Sequence, residues 1–218
     1  MTPTYAFQLP SGDMEMRFGS NHNVGLSALR KTSSNYLFGI EGSFIFGNNV
    51  GEYGLLRGLI TREGQIIDTE GEMSDIQLFE RGYTIFLTGA KIIPVVGPNP
   101  NSGMLLKLGG GYMRHKIRIQ TQKNEVPQLE GDYLEGYDRL TAGPAGMFFV
   151  GYQHFSNNRR INFHFGFEIM LGFTEPLRAY NFDTRTRDEG GRVDMLTGFR
   201  AGWTIPIYKR VDHRFHYN

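Results

Sequence analysis

The chain has 218 residues, a length that suits one domain, and its formal net charge of +1 supplies no bulk field for nucleic acid. It has no cysteine, which excludes a disulfide framework and thiolate metal sites. No apolar run reaches the length of a membrane-spanning helix, yet a mean hydropathy of −0.36 is compatible with membrane-spanning strands, in which only alternate residues meet lipid.

The opening Met1-Thr2-Pro3-Thr4 has no export-signal pattern, so we expect a mature or trimmed chain. Residues 2–9 then read as a first strand, and weak alternation marks a second over 23–30. Over 36–46, Tyr36, Phe38, Ile40, Phe44 and Phe46 oppose Gly39, Glu41 and Ser43. Residues 77–94, 103–122 and 138–155 supply three more strands of the same period. The clearest is 160–173: Ile161, Phe163, Phe165, Phe167, Ile169, Leu171 and Phe173 alternate with Asn162, His164, Gly166, Glu168, Met170 and Gly172. The eighth, 192–208, repeats that pattern. Alternation sustained over a dozen residues exceeds an ordinary globular strand.

The connections come in two kinds. Residues 31–35, 97–102 and 156–159 are short and rich in Asn, Ser, Gly and Pro, as turns require. Residues 10–22, 48–76, 121–137 and 174–190 are longer and polar, and the two kinds alternate. Together these features predict an all-β fold: an eight-stranded antiparallel up-and-down transmembrane β-barrel over residues 1–208. It is expected in a bacterial outer membrane with both termini periplasmic, and residues 209–218 are expected to form a periplasmic tail.

With the apolar faces outward, the inward set includes Glu41, Lys107, His115, His164, Glu168, Asp194 and Arg200. Both charge signs are present, so a paired interior network and a closed lumen are expected, with the strand glycines making room for the long side chains. A lipocalin-type carrier would turn its large apolar residues inward instead. Tyr36, Tyr152, Trp203 and Tyr208 fall near the turn ends of their strands, where an interfacial aromatic girdle belongs. The longest strands exceed a bilayer crossing, and the cationic stretch Arg114-His115-Lys116-Ile117-Arg118-Ile119 is expected to project beyond it.

Several segments resemble small outer-membrane β-barrel proteins of Bacteroidetes: Pro10-Ser11-Gly12-Asp13 with Arg17-Phe18-Gly19, Asn101-Ser102-Gly103, Tyr137-Asp138-Arg139-Leu140-Thr141, Phe155-Ser156-Asn157-Asn158, and the closing Gly202-Trp203-Thr204-Ile205-Pro206-Ile207-Tyr208. The resemblance spans essentially the whole chain. It implies a barrel of OmpA-type or OmpX-type architecture that accompanies larger machines such as barrel-assembly or type IX secretion complexes. One departure is the basic, aromatic tail after Tyr208, where such a barrel signal would end the chain.

Three further features bear on function. His154, Ser156 and Glu168 resemble the triad of PagL-type lipid A deacylases, but the first two sit at a turn and Glu168 about eight residues up the next strand, roughly 20 Å or more away. Glu125, Glu130, Asp132, Glu135 and Asp138 make one loop acidic without the spacing of a calcium site. Leu55, Leu56, Leu59 and Ile60 share one face of a short predicted helix and act either as a lid over the barrel mouth or as a partner-docking surface.

The expectation is therefore a non-enzymatic barrel with no catalytic residues, no cofactor, no metal centre and no nucleic-acid partner. Its partners are outer-membrane lipid, lipopolysaccharide and other outer-membrane protein subunits. The alternatives are a deacylase and a small-solute pore.

Overall fold

Period-two alternation makes ribbons with two chemically different faces, and closing such ribbons on themselves removes every exposed edge. The computed structural model describes residues 1–52, 54–122, 126–158, 160–187 and 189–207. Among them the wall strands, in chain order, are β1 (Thr2–Gly12), β2 (Asn21–Lys31) and β3 (Tyr36–Gly47); a two-residue hairpin, β4 (Ile66–Ile67) and β5 (Met73–Ser74), then interrupts them. The wall continues with β6 (Ile76–Ile93), β7 (Gly103–Thr121), β8 (Thr141–Phe155), β9 (Asn162–Pro176) and β10 (Arg192–Trp203). These eight wall strands form a closed antiparallel barrel, sealed where Thr4 pairs with Gly202 and Gly12 with Asp194. Residues 208–218, including Tyr208, and Glu125 of the acidic loop lie outside the described residues.

The strand boundaries differ from the sequence expectation at identifiable places. The strand expected from Asp138 starts at Thr141, because Asp138 is held by loop partners and Arg139 takes a positive φ of 49°. Pairing of the last strand stops at Trp203, although Ile205 still donates its backbone N–H to Met1; Pro206 has no N–H to continue the ladder. The loops also contain elements the alternation did not signal: the β4–β5 hairpin, a 3-10 turn at Pro127–Leu129 and a five-residue helix, α1 (Gly131–Glu135).

The two faces of the wall separate by chemistry. Phe163, Phe165, Phe167, Ile169, Leu171 and Phe173 point away from the lumen, whereas Asn162, His164, Glu168, Met170 and Thr174 are buried inside it. The outer surface carries large apolar side chains on every wall strand, among them Phe7, Leu26, Ile40, Leu87, Leu108, Phe148, Phe165 and Phe199. Inside, a charged middle section is followed toward the long loops by an apolar plug of Met113, Ile117, Met147, Met170 and Leu196.

The strand glycines serve more than one purpose. Gly151 and Gly166 face each other across β8 and β9, and a Cβ on either would meet the Phe149 ring at 2.7 or 2.8 Å. A Cβ on Gly202 would strike the His164 ring at 2.4 Å. Gly111, Gly143 and Gly198 make no such room: there the carbonyl of the neighbouring strand would lie 1.9 to 2.1 Å from a Cβ. They permit close backbone approach where the wall curls, and Gly110 and Gly146 have open space or only a distant backbone atom beside them.

Candidate functional site

The charged middle section is built from side chains of six wall strands. Arg200 on β10 sits at its centre, donating from Nε to Glu168 Oε2 at 2.5 Å and from Nη2 to Glu168 Oε1 at 3.1 Å. The same guanidinium donates to Thr4 Oγ1 at 2.8 Å and to Asn23 Oδ1 at 3.1 Å, which joins β1 and β2 to the pair. Gln8 donates to Glu168 Oε1 at 2.8 Å. Across the lumen, Lys107 on β7 donates to Glu41 Oε2 on β3 at 2.8 Å, and Arg200 Nη1 comes within 3.6 Å of Glu41 Oε1. All four charged groups are almost wholly removed from solvent. A buried pair of this kind is tolerable only when each partner keeps its hydrogen bonds, and the planar guanidinium fork supplies four of them here.

His164 lies on the turn side of this network. Its ring meets Phe149 edge-on at 5.6 Å, and its Nε2 is buried without a hydrogen-bond partner. Beyond it the interior opens toward the turns as a cavity of about 880 Å³, bordered by Leu29, Lys31, Leu105, Lys107, Asn162 and His164. On the loop side, His115 and Asp194 share a 2.8 Å hydrogen bond and Thr174 donates to the same carboxylate oxygen at 2.5 Å. Phe18, descending from the first long loop, packs edge-on against His115 at 5.6 Å. The middle of the barrel is thus filled from wall to wall.

The loops close the mouth above this plug. Met14, Phe18, Leu55, Leu56, Ile66, Val126 and Leu129 are buried in one cluster with Met113 and Ile117. The leucines of the longest loop therefore face inward: Leu55 and Leu56 are buried, and Leu59 and Ile60 pack half-buried against the cluster. The packing of that loop supports a lid over the barrel mouth, and Leu55 and Leu56, being buried, are not part of an exposed docking surface. Residues 54–59 run as successive turns, so the expected helix is absent there.

Ion pairs tie the cap together. Arg17 meets Glu52 at 3.0 Å, and Arg139 meets Asp183 at 2.6 Å. Asp138 accepts from Arg178 Nε at 2.8 Å and Nη2 at 2.6 Å, and Arg178 also reaches Glu135 at 2.8 Å. These hydrogen bonds to Asp138 hold the Arg178 guanidinium above its ordinary pKa. Two of the acidic-loop carboxylates are thus committed to an arginine. Replacing Asp138 with Asn is expected to loosen this clamp by about 1–3 kcal/mol and to speed tryptic cleavage after Arg178. An unchanged cleavage rate would show that the clamp does not hold the loop.

At the opposite end, Tyr36, Tyr152 and Trp203 all face outward near the short turns, and Lys91 places its ammonium 3.7 Å from the centre of the Tyr36 ring. The three residues of the hydrolase-like pattern do not meet. His154 stacks on Phe163 at 5.0 Å on the outer face, the Ser156 hydroxyl donates to Asn158, and Glu168 is buried inside against Arg200.

Sequence reasoning identified inward charges by parity, and the same parity would have added Glu80, which accepts from Asn21 at 3.1 Å, as well as Gln8 and Asn23. The cap pairs carry no such signal, because loops far apart in sequence bring them together.

The arrangement defines a closed, plugged eight-stranded barrel with an apolar outer belt and a loop cap. No family model matches the chain, and no curated protein sequence does. Among solved structures, it is similar to Ail, the attachment invasion locus protein of Yersinia pestis, in complex with the heparin analogue sucrose octasulfate. That likeness has 12 % identity and a TM-score of 0.40 and covers 93 % of this chain and 94 % of that one. It is also similar to Neisserial surface protein A, at 10 % identity and a TM-score of 0.41, covering 92 % of this chain and 93 % of the other.

Proposed function

We propose that this chain is a non-enzymatic integral barrel of a bacterial outer membrane that serves as an accessory subunit of a larger outer-membrane assembly. The observation that carries the membrane reading is the reversal of ordinary globular packing. Large apolar side chains cover the outside of all eight wall strands, and the ion pairs Arg200–Glu168 and Lys107–Glu41 are sealed within. In water such an exterior would be a contiguous apolar patch around the whole molecule, whereas in lipid it is solvated.

What the barrel offers supports the accessory role. Among the described residues the middle is filled by paired charges and an apolar plug, and the hydrolase-like residues His154, Ser156 and Glu168 are dispersed. The remaining working surfaces are the wall, the loop cap and the turn-side rim. The resemblance of its turns and rims to Bacteroidetes barrels directs the search for partners toward barrel-assembly and type IX secretion complexes.

The deciding experiment is extraction of the tagged native protein from outer membranes in a gentle detergent, followed by native-gel sizing and identification of co-purifying subunits. Recovery in a stable complex is expected. Recovery only as a lone monomer at native expression would end the accessory reading, and recovery in the soluble fraction would end the membrane reading.

A further inference from the structure

Among the described wall residues, six lysines and arginines face outward, and their distribution is uneven. Arg30 and Lys91 lie near the turns. The other four, Arg81 on β6 and Arg114, Lys116 and Arg118 on β7, lie together toward the loops, on two adjacent strands. Register places Arg81 opposite Lys116, with Arg114 opposite Tyr83 and Arg118 opposite Phe79 on either side. Neither strand carries an outward carboxylate. Lys116 reaches Asp138 at 3.4 Å, but Arg81 donates only to backbone carbonyls, and Arg114 and Arg118 have no ion-pair partner among the described residues. Arg118 lies close enough to Arg81 to repel it, against the pull of the buried Glu80 carboxylate behind it.

The height of this patch matters as much as its charge. Arg81 is ten residues from Lys91 along β6, which at ~3.3 Å per residue and a tilt of about 40° is roughly 25 Å along the barrel axis, the height of a lipid-facing apolar band. Between them the outward residues are Tyr83, Ile85, Leu87 and Gly89, with Tyr112 and Leu108 beside them on β7. The patch therefore straddles the loop-side edge of the hydrocarbon: Arg114 is level with Tyr83, and Arg81, Lys116 and Arg118 lie beyond it. Guanidinium groups clustered at such a boundary match phosphate oxygens, which accept paired hydrogen bonds from the planar fork.

We propose that Arg81, Arg114 and Arg118, with Lys116 beside them, form a site on the outer wall for the phosphate groups of a glycolipid headgroup in the outer leaflet. The proposal rests on the membrane reading above and names the lipid that this side of the wall selects. Asp138 meets only Lys116 of the four, and the cluster as a whole stays cationic, so bound anionic headgroups relieve it; the aromatic and aliphatic residues below it contact the acyl chains.

The test uses the full chain in a mild non-ionic detergent, titrated with lipid A bearing two phosphates and read by native mass spectrometry. The triple variant Arg81→Gln, Arg114→Gln, Arg118→Gln is expected to bind about a hundredfold more weakly, from roughly a factor of five per cation. Dephosphorylated lipid A should lose affinity for the unaltered chain to a similar degree. The double variant Arg30→Gln, Lys91→Gln at the other rim should bind as the unaltered chain does. Equal binding by the triple variant, indifference to the phosphates, or equally tight binding of phosphatidylglycerol each overturns the proposal, as does absence of binding to a folded barrel. A chain that shows no heat-modifiable barrel in detergent refutes the membrane reading instead.

Discussion

Replacing Arg200 with methionine is expected to destabilise the barrel by about 3–5 kcal/mol, the cost of leaving a buried charge without its partner. The guanidinium makes four hydrogen bonds within the lumen, to Glu168 twice, to Thr4 and to Asn23. After the substitution Glu168, fully buried, would keep only the amide of Gln8. Two routes relieve that situation: the carboxyl takes up a proton, or water enters between β9 and β10. Either shows as a lower midpoint in urea unfolding of the reconstituted barrel. The double variant Arg200→Met with Glu168→Met removes both charges and restores apolar volume, so most of the lost stability should return. Losses that simply add in the double variant would show that the pair is not the coupled unit described here.

The same network shows which part of the design was legible in the sequence. A strand's period of two makes every inward residue share parity with its buried neighbours. One clear strand such as β9 therefore assigns His164 and Glu168 to the lumen as soon as its phenylalanines are assigned to the exterior. Parity says which side chains enter but not whom they meet. Lys107 and Glu41 stand on strands separated by β6, and only closure and register bring them to 2.8 Å. The strand glycines illustrate the same limit: sequence marks their positions, but Gly166 makes room for a ring while Gly198 lets a backbone carbonyl approach.

The cap was the least legible part. Leu55 and Leu56 present an aliphatic face, yet the groups that cover them, Met14, Phe18, Val126 and Leu129 among the buried cluster, come from other loops. No local pattern announces such a contact, so lid and docking surface were equally compatible with the sequence. The ion pairs Arg17–Glu52 and Arg139–Asp183 are hidden for the same reason. Arginine and acid in polar loops read as solvated charge until the fold brings them together.

Placing a charge on the outer belt tests the membrane reading from the opposite direction. Leu87 points away from the lumen, is 73 % exposed and pairs with Ile40 and Gly110, so its replacement touches no interior contact. It stands between Lys91 and Arg81, near the middle of the apolar band. In lipid, Leu87→Arg is expected to cost about 2–4 kcal/mol, because an arginine at the bilayer midplane has neither water nor a counter-charge within easy reach. Val96→Arg, at a turn and 72 % exposed, should cost no more than about 1 kcal/mol by the same depth dependence. Equilibrium folding into lipid vesicles at graded urea concentrations reads the difference directly. Were the belt in contact with water, both substitutions would be neutral or would improve solubility, since each replaces exposed hydrocarbon with charge. A pair of variants of equal stability in vesicles would therefore remove the physical basis for placing this wall in a membrane.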